Sequence, residues 1–227
     1  VGPTIQSIFF EGYSKKLWGI PTTKMSSKWA PKRIEIRDSH SSFWYNQFSA
    51  AGKYGSGAIM NRMAEGVKSS GNKINLNHEV SRFTTSDNKI TKIHFKNGEI
   101  VDSKDSIIIS TLPLSKTSEM LGYKTKLQYN SYILAYVVVN QSEILPKNAQ
   151  SIYFAHDENY FHRATEQKKY SDIGYPKNKT LICFEISYRT KPELIKKDPE
   201  QLCREVFKQF CALGFSKYER FEKGFTR

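Results

Sequence analysis

The chain is short of the residues on which metal and thiol chemistry rests. Its 227 residues include three cysteines, Cys183, Cys203 and Cys211. They match no metal-ligand spacing and form no even disulfide set, which points to a reducing compartment and a cytoplasmic location. Cys203 and Cys211 read as helix-packing residues. The histidines (His40, His78, His94, His156, His162) form no H-x-x-x-H or H-E-x-x-H pair, so no metal site is expected. P-loop, G-x-S-x-G and cysteine–histidine signatures are missing, which excludes the familiar phosphate cradle and nucleophile elbow. Gly52, Gly55 and Gly57 do not have G-x-G-x-x-G spacing, and no ribose-binding acidic residue follows them. Long hydrophobic runs are also lacking. Ile107-Ile108-Ile109 and Ile133 to Val139 fall far short of the roughly twenty residues that span a bilayer, and no leading basic-then-apolar signal stands at Val1.

What is present suffices for a folded protein. Hydrophobic residues make up 38% and aromatics 13%, enough for a core in one large or two small domains. The net charge of +13, from 35 basic and 22 acidic residues, invites a polyanion. Lysines far outnumber arginines and are spread along the chain, whereas a nucleic-acid reader concentrates arginine on one element. A solvated, lysine-rich surface is the first reading of the charge and an anionic small-molecule site the second, with no specific nucleic acid partner; a non-catalytic polyanion-binding module is the rival from another class.

The pattern along the chain predicts an α+β fold. Ile5, Ile8, Phe9 and Tyr13 recur at helical spacing until Gly12, Gly19 and Pro21 break it. Behind a glycine-rich entry, residues 58–70 read as a short amphipathic helix stopped by Gly71-Asn72. Ile74, Leu76 and Val80 alternate as a strand, Asn97-Gly98 marks a β-hairpin, and residues 106–111 read as a fully buried strand ended by Pro113. Four longer strands, over 132–140, 151–155, 160–165 and 180–188, predict an antiparallel meander. A last helix begins at N-cap Asp198 with Pro199 in the first position and Gln201 completing a capping box, and ends at Gly214. The expected division is a helical part over 1–50, a partial second domain over 51–118, and sheet plus helix over 119–227.

The densest chemistry lies near the start, in Phe9-Phe10-Glu11-Gly12-Tyr13-Ser14-Lys15-Lys16-Leu17-Trp18-Gly19-Ile20-Pro21 and in Trp29-Ala30-Pro31-Lys32-Arg33-Ile34. Tyr13 and Lys16 share a helical face, and Trp18 follows where the chain turns. Such a set suits a nucleobase stacked on Trp18, a phosphate or sugar hydroxyl met by Lys16, and a diphosphate clamped by Arg33. The same residues also suit a helical subdomain anchored by Trp18 and Trp29, with surface cations.

These segments resemble the "Y-x-x-K-x-W-G, then R-I" stretch of flavin-dependent proteins of the UDP-galactopyranose mutase and protoporphyrinogen oxidase/amine oxidase superfamily. The resemblance continues in order through Gly55-Ser56-Gly57 to Val67, Val80-Ser81-Arg82-Phe83, the Asn97-Gly98 hairpin, and Asp105 to Pro113 against "D-x-I-I-x-T-x-P". It ends in Arg163-Ala164-Thr165-Glu166 and Glu185-Ile186. Lys16 to Gly19 and Lys32 to Arg37 are similar to the mutase's "K-Q-W-G" and "K-R-I-P-V-R". Leu17 stands in place of that glutamine, Glu35 in place of that proline, and Trp29-Ala30 is closer to the oxidoreductase branch, so an oxidation by FAD is the alternative.

The resemblance implies a substrate domain built on an antiparallel meander with helices, plus a partial FAD-binding domain with a β-hairpin. It also implies a flavin-borne reaction with no catalytic side chain, in which reduced flavin attacks the sugar anomeric carbon and expels UDP, for polysaccharide or LPS biosynthesis. FAD belongs to the full-length protein and is not expected on this chain, which reads as a central fragment that is inactive alone. The matching residues are Tyr13 and Trp18 for stacking, Arg33 and Arg163 for diphosphate charge, Val80 at the FAD adenine, and Thr111, Leu112 and Pro113 beside the cofactor.

Overall fold

Ile133, Ala135, Val137 and Val139 occupy alternate positions of strand β4 (Tyr132–Val139), and all four are buried, the two-residue period of a strand with one face on a core. A computed structural model describes residues 2–26, 28, 55–171 and 174–227. Two compact units divide the chain, Val1–Ile59 with Asn130–Arg227, and Met60–Tyr129. Arg33, with the whole Lys32 to Arg37 motif, Trp29 and Gly52, lies outside the described residues.

In the first unit, β5 (Ser151–Tyr153), β6 (Arg163–Glu166), β7 (Thr180–Ser187), β4 and β8 (Phe221–Thr226) form an antiparallel sheet in the order β5-β6-β7-β4-β8. The register sets Ala164 opposite Phe184 and Phe184 opposite Ala135 on one face, and Arg163 opposite Glu185 and Glu185 opposite Leu134 on the other. Helix α5 (Pro199–Ala212) covers the first face with Leu202, Val206, Phe207 and Phe210, all essentially inaccessible. Phe161, Phe184 and Phe210 meet there with ring centroids 4.8 to 6.3 Å apart. The helix starts as its sequence dictates, with the Asp198 carboxylate accepting from Gln201 N at 2.8 Å and Pro199 needing no donor. The Gln201 side chain does not complete a capping box; it donates to Glu205 one turn on.

The meander is only partly as expected. β5, β6 and β7 follow one another across the sheet, but β4 lies beyond β7. There β4 lies between β7 and β8, and its buried residues share one core with α5. The last strand, β8, carries no sequence signal because Gly224 interrupts it. That glycine is required: a methyl group at Gly224 would fall 2.2 Å from Cys203 Cβ on α5.

The second unit holds most of helix α3 (Ser56–Ser69), the hairpin sheet β1 (Val80–Ser86), β2 (Lys89–Phe95) and β3 (Ile100–Asp102), and helix α4 (Leu114–Met120). The Asn97-Gly98 turn connects β2 to β3 as its sequence predicts, with Gly98 at φ 89°. A second turn at Asp87-Asn88, both at positive φ, joins β1 to β2. Residues 72–79 precede the strand rather than extend it. The buried strand expected over 106–111 is absent: the segment is irregular, with Ile107 94% and Ile109 85% exposed. A strand needs a hydrogen-bonding neighbour, and β1, β2 and β3 pair only with one another. Among the described residues every fully buried hydrophobic side chain belongs to the first unit.

The close approach of α5 to β8 makes Gly224→Ala a sharp probe. It should destabilise the chain by about 1–3 kcal/mol through overpacking. The measurement is a lowered urea midpoint with an unchanged slope.

Candidate functional site

The aromatic and cationic stretch forms a helical segment whose phase is set by tertiary contacts. It is α-helical over α1 (Pro3–Ile5), π-helical over Gln6–Gly12 and α-helical again over α2 (Tyr13–Trp18). Gly12 does not break it, contrary to the sequence reading. The helix passes through Gly12, where a Cβ would sit 3.4 Å from the Ala155 carbonyl oxygen, so the missing side chain allows helix and sheet to approach. The stop comes at Gly19, left-handed at φ 68°. At that end the Leu17 carbonyl accepts from Asn130 Nδ2 at 2.5 Å and from Ser187 Oγ at 2.9 Å. Two side chains flanking the sheet strands thereby satisfy a carbonyl in the helix's last turn.

This anchoring places Tyr13 against the sheet face opposite α5, where it joins Arg163. The Tyr13 ring meets Tyr153 edge-on at 5.6 Å and His162 at 6.0 Å, and His162 in turn meets Tyr132 at 5.4 Å. Arg163 Nε donates to Glu185 Oε1 at 2.8 Å, a second guanidinium nitrogen reaches the same oxygen, and the guanidinium carbon lies 5.8 Å from the Tyr153 ring centre. His162 Nε2 is 3.6 Å from Glu185 Oε2, while buried Nδ1 has no hydrogen-bond partner among the described residues. Burial raises the Glu185 pKa, but hydrogen bonds from His162 and Arg163 outweigh it and hold the carboxyl below its usual value. Burial, reinforced by Tyr153, lifts the Tyr13 phenol well above its ordinary range, so it stays a neutral donor. The arrangement presents a guanidinium, 36% exposed, among flat rings and phenolic hydroxyls. That chemistry suits an anion carrying a planar or hydroxylated group.

Lys16 takes another direction. Its side chain is buried and donates to the His156 carbonyl at 2.5 Å. Burial pushes its pKa down to about 8, with Asp157 opposing and Lys191 adding to the shift. It lines an open cavity of about 330 Å³ with Arg189 and Lys191. Trp18 is half-buried, its Nε1 lacks a partner among the described residues, and its carbonyl accepts from Arg189 Nη1 at 3.3 Å. The structure therefore brings Tyr13 to Arg163 and sets Lys16 in a separate cavity beside the end of α2.

Val80 and residues 111–113 fall in the second unit. Val80 is half-buried at the start of β1, a sheet-edge strand, opposite Phe95. Thr111, Leu112 and Pro113 are exposed just before α4, with Pro113 at its cap. The described residues contain no strand, glycine turn and helix N-terminus arranged to cradle a dinucleotide pyrophosphate. No group of three or more His, Cys, Asp or Glu able to hold a metal occurs among them either. The thiols are poor nucleophiles: burial pushes Cys183 up to about 11 and Cys203 up to about 12.

A five-stranded sheet with a helix on one face and an aromatic–guanidinium cluster on the other, in a chain that also carries a hairpin unit, defines an α+β protein. The family model described as UDP-galactopyranose mutase matches residues 8–209, and the chain belongs to that family, which is flavin-dependent. Among solved structures it is similar to reduced UDP-galactopyranose mutase, at 21% identity and a TM-score of 0.76 over 100% of this chain and 52% of that one. It is also similar to the PF1083 protein from Pyrococcus furiosus, at 13% identity and a TM-score of 0.52 over 76% of this chain and 42% of that one. At these identities the likeness is one of fold, and the chain spans about half the length of the mutase structure. No curated protein sequence matches it significantly. The family match falls on the mutase side of the two flavin branches, and the α+β expectation holds.

Sequence reasoning missed Tyr132, Tyr153 and His162 as parts of the cluster. The available signal was strand parity: Tyr153, Arg163 and Glu185 share a face once β5, β6 and β7 are in register. Their pairing predicts a specific pH response. Glu185→Gln should lower stability near pH 7 by about 1–2 kcal/mol, a modest figure because Arg163 is partly solvated. The Glu185 pKa is depressed in the fold, so its contribution is present above the unfolded value of 4.5 and is lost as pH falls below it. Urea midpoints of wild type and variant, well separated at pH 7, should converge toward pH 3.

Proposed function

We propose that this chain carries the substrate-binding part of a flavin-dependent mutase acting on a nucleotide sugar of the UDP-galactopyranose type, in cytoplasmic polysaccharide or LPS biosynthesis. The observation that carries the reading is the meeting of Tyr13 with Arg163 on one sheet face, within a chain of the mutase family. Arg163 meets the diphosphate charge, its guanidinium held by Glu185, whose other carboxylate oxygen lies beside His162. Tyr13 stacks or hydrogen-bonds with the nucleotide, Trp18 closes the end of the same helix, and Arg33 supplies a second cation. Val80 and Thr111 to Pro113 face the FAD of the complete protein. FAD, when bound there, supplies the bond-making chemistry; this chain's residues bind, orient and neutralise charge. No helix among the described residues is long and apolar enough to cross a membrane.

Titrating UDP into the complete flavin-containing protein by calorimetry tests the assignment. Arg163→Lys should weaken binding by about 1–3 kcal/mol, since an ammonium cannot engage Glu185 and a diphosphate in the fork geometry of a guanidinium. Failure of wild type to bind UDP, or equal binding by both proteins, would return the oxidase-like reading to first place.

A further inference from the structure

The His78 ring, on the connector between α3 and β1, lies between two groups that can only accept hydrogen bonds. Its Nδ1 is 2.7 Å from the Leu76 carbonyl oxygen, and its Nε2 is 2.7 Å from Glu99 Oε2, just past the Asn97-Gly98 turn. A neutral imidazole has one N–H and can serve one of them; its other nitrogen then turns a lone pair toward a lone pair. Both bonds exist together only in the imidazolium. Local backbone makes the fit: Asn77 is left-handed at φ 61°, which returns the ring to the carbonyl two residues back. The Phe95 ring of β2 meets the imidazole edge-on, with centroids 5.5 Å apart, and brings no charge. Glu79 and Lys96 pair with each other, so Glu99 is the charged group that the imidazolium answers. The His78 and Glu99 side chains are 26% and 45% exposed, open enough for protons to exchange with solvent.

The connector depends on this ring. The last backbone hydrogen bond before it runs from Asn72 N to the Val67 carbonyl at 3.2 Å, and the next after it from Lys96 N to the Glu79 carbonyl at 2.8 Å. Between them, residues 73–78 make no backbone–backbone hydrogen bond among the described residues. We infer that His78 is a pH-operated clasp: as an imidazolium it fixes the 73–78 connector and ties it to the hairpin, and on losing its proton it must give up one of the two holds. The Leu76 carbonyl, and then Glu99, favour the charged ring and raise its pKa above the ordinary 6.5. The clasp is therefore closed below pH 6.5 and opens as pH rises through the higher, folded-state value. It lies wholly within the second unit, and it requires neither the mutase reading nor any ligand.

An NMR titration of the isotope-labelled 227-residue chain across the histidine range tests the clasp, with the His78 ring assigned by through-bond correlation to its own backbone. We expect the ring to titrate with a midpoint above 6.5 and the backbone amides of 73–78 to shift with that same midpoint. Glu99→Gln should lower the ring and amide midpoints together. Gln keeps the side-chain length, and the ladder bond from Phe95 N to the Glu99 carbonyl at 3.0 Å does not involve the carboxylate, so the hairpin survives the change; unchanged amide signals along β2 and β3 check this. A ring midpoint at or below 6.5 in the wild type overturns the inference. Connector amides that do not follow the ring overturn it as well, since the proton would then leave without loosening anything. A midpoint that Glu99→Gln leaves in place has the same force, because the carboxylate would not be one of the two holds.

Discussion

The Leu17 carbonyl is the fastening on which the functional geometry depends. A helix of six residues after a π-helical stretch has little stability of its own, and its terminal carbonyls need partners. Asn130 and Ser187, from the two sides of the β4–β7 pair, provide them to Leu17. This docking fixes both position and rotation of the helix, directing Tyr13 to the sheet face and Lys16 into the cavity. Gly12 and Gly19 serve the same end by removing side chains where helix meets β5's continuation and the Arg189 stem.

The sheet separates stability from chemistry by strand parity. One face is apolar and covered by α5; the other bears Arg163, Glu185, Tyr132 and Tyr153. The "R-x-x-E" element shows how this works. Arg163 and Glu166 are an odd number of residues apart on β6, so they point to opposite faces. Glu166 is inaccessible and its carboxylate accepts from Ile144 N, Leu145 N and Thr180 Oγ1, which satisfies a buried charge and secures the loop after β4. Arg163 faces the ring cluster. Two residues of one motif thus divide the work, one holding the fold and one presenting charge.

The two units differ in how they cover their apolar surface. The first closes its core within the described residues, whereas the second leaves Met60 and Met63 each 61% exposed and Ile107 almost fully so. The hairpin sheet is held by its backbone ladders and turns.

Local physics made several elements legible in the sequence: the Asn97-Gly98 hairpin, the capped α5 with its buried stripe, the alternation of β4, and the arrest of the first helical segment at Gly19. These follow from turn chemistry, capping and periodicity, which act over a few residues. Strand order, β8, the continuation of helix through Gly12 and the irregularity of 106–111 were not legible, because each depends on what lies opposite in space. The same division holds for the site. Sequence alone determined the residue types available, Tyr13, Lys16, Trp18 and Arg163, and the family to which their order belongs. Only the tertiary structure decided that Tyr13 meets Arg163 while Lys16 turns to Arg189 and Lys191, because helix rotation is set by hydrogen bonds from Asn130 and Ser187, residues more than a hundred positions away along the chain.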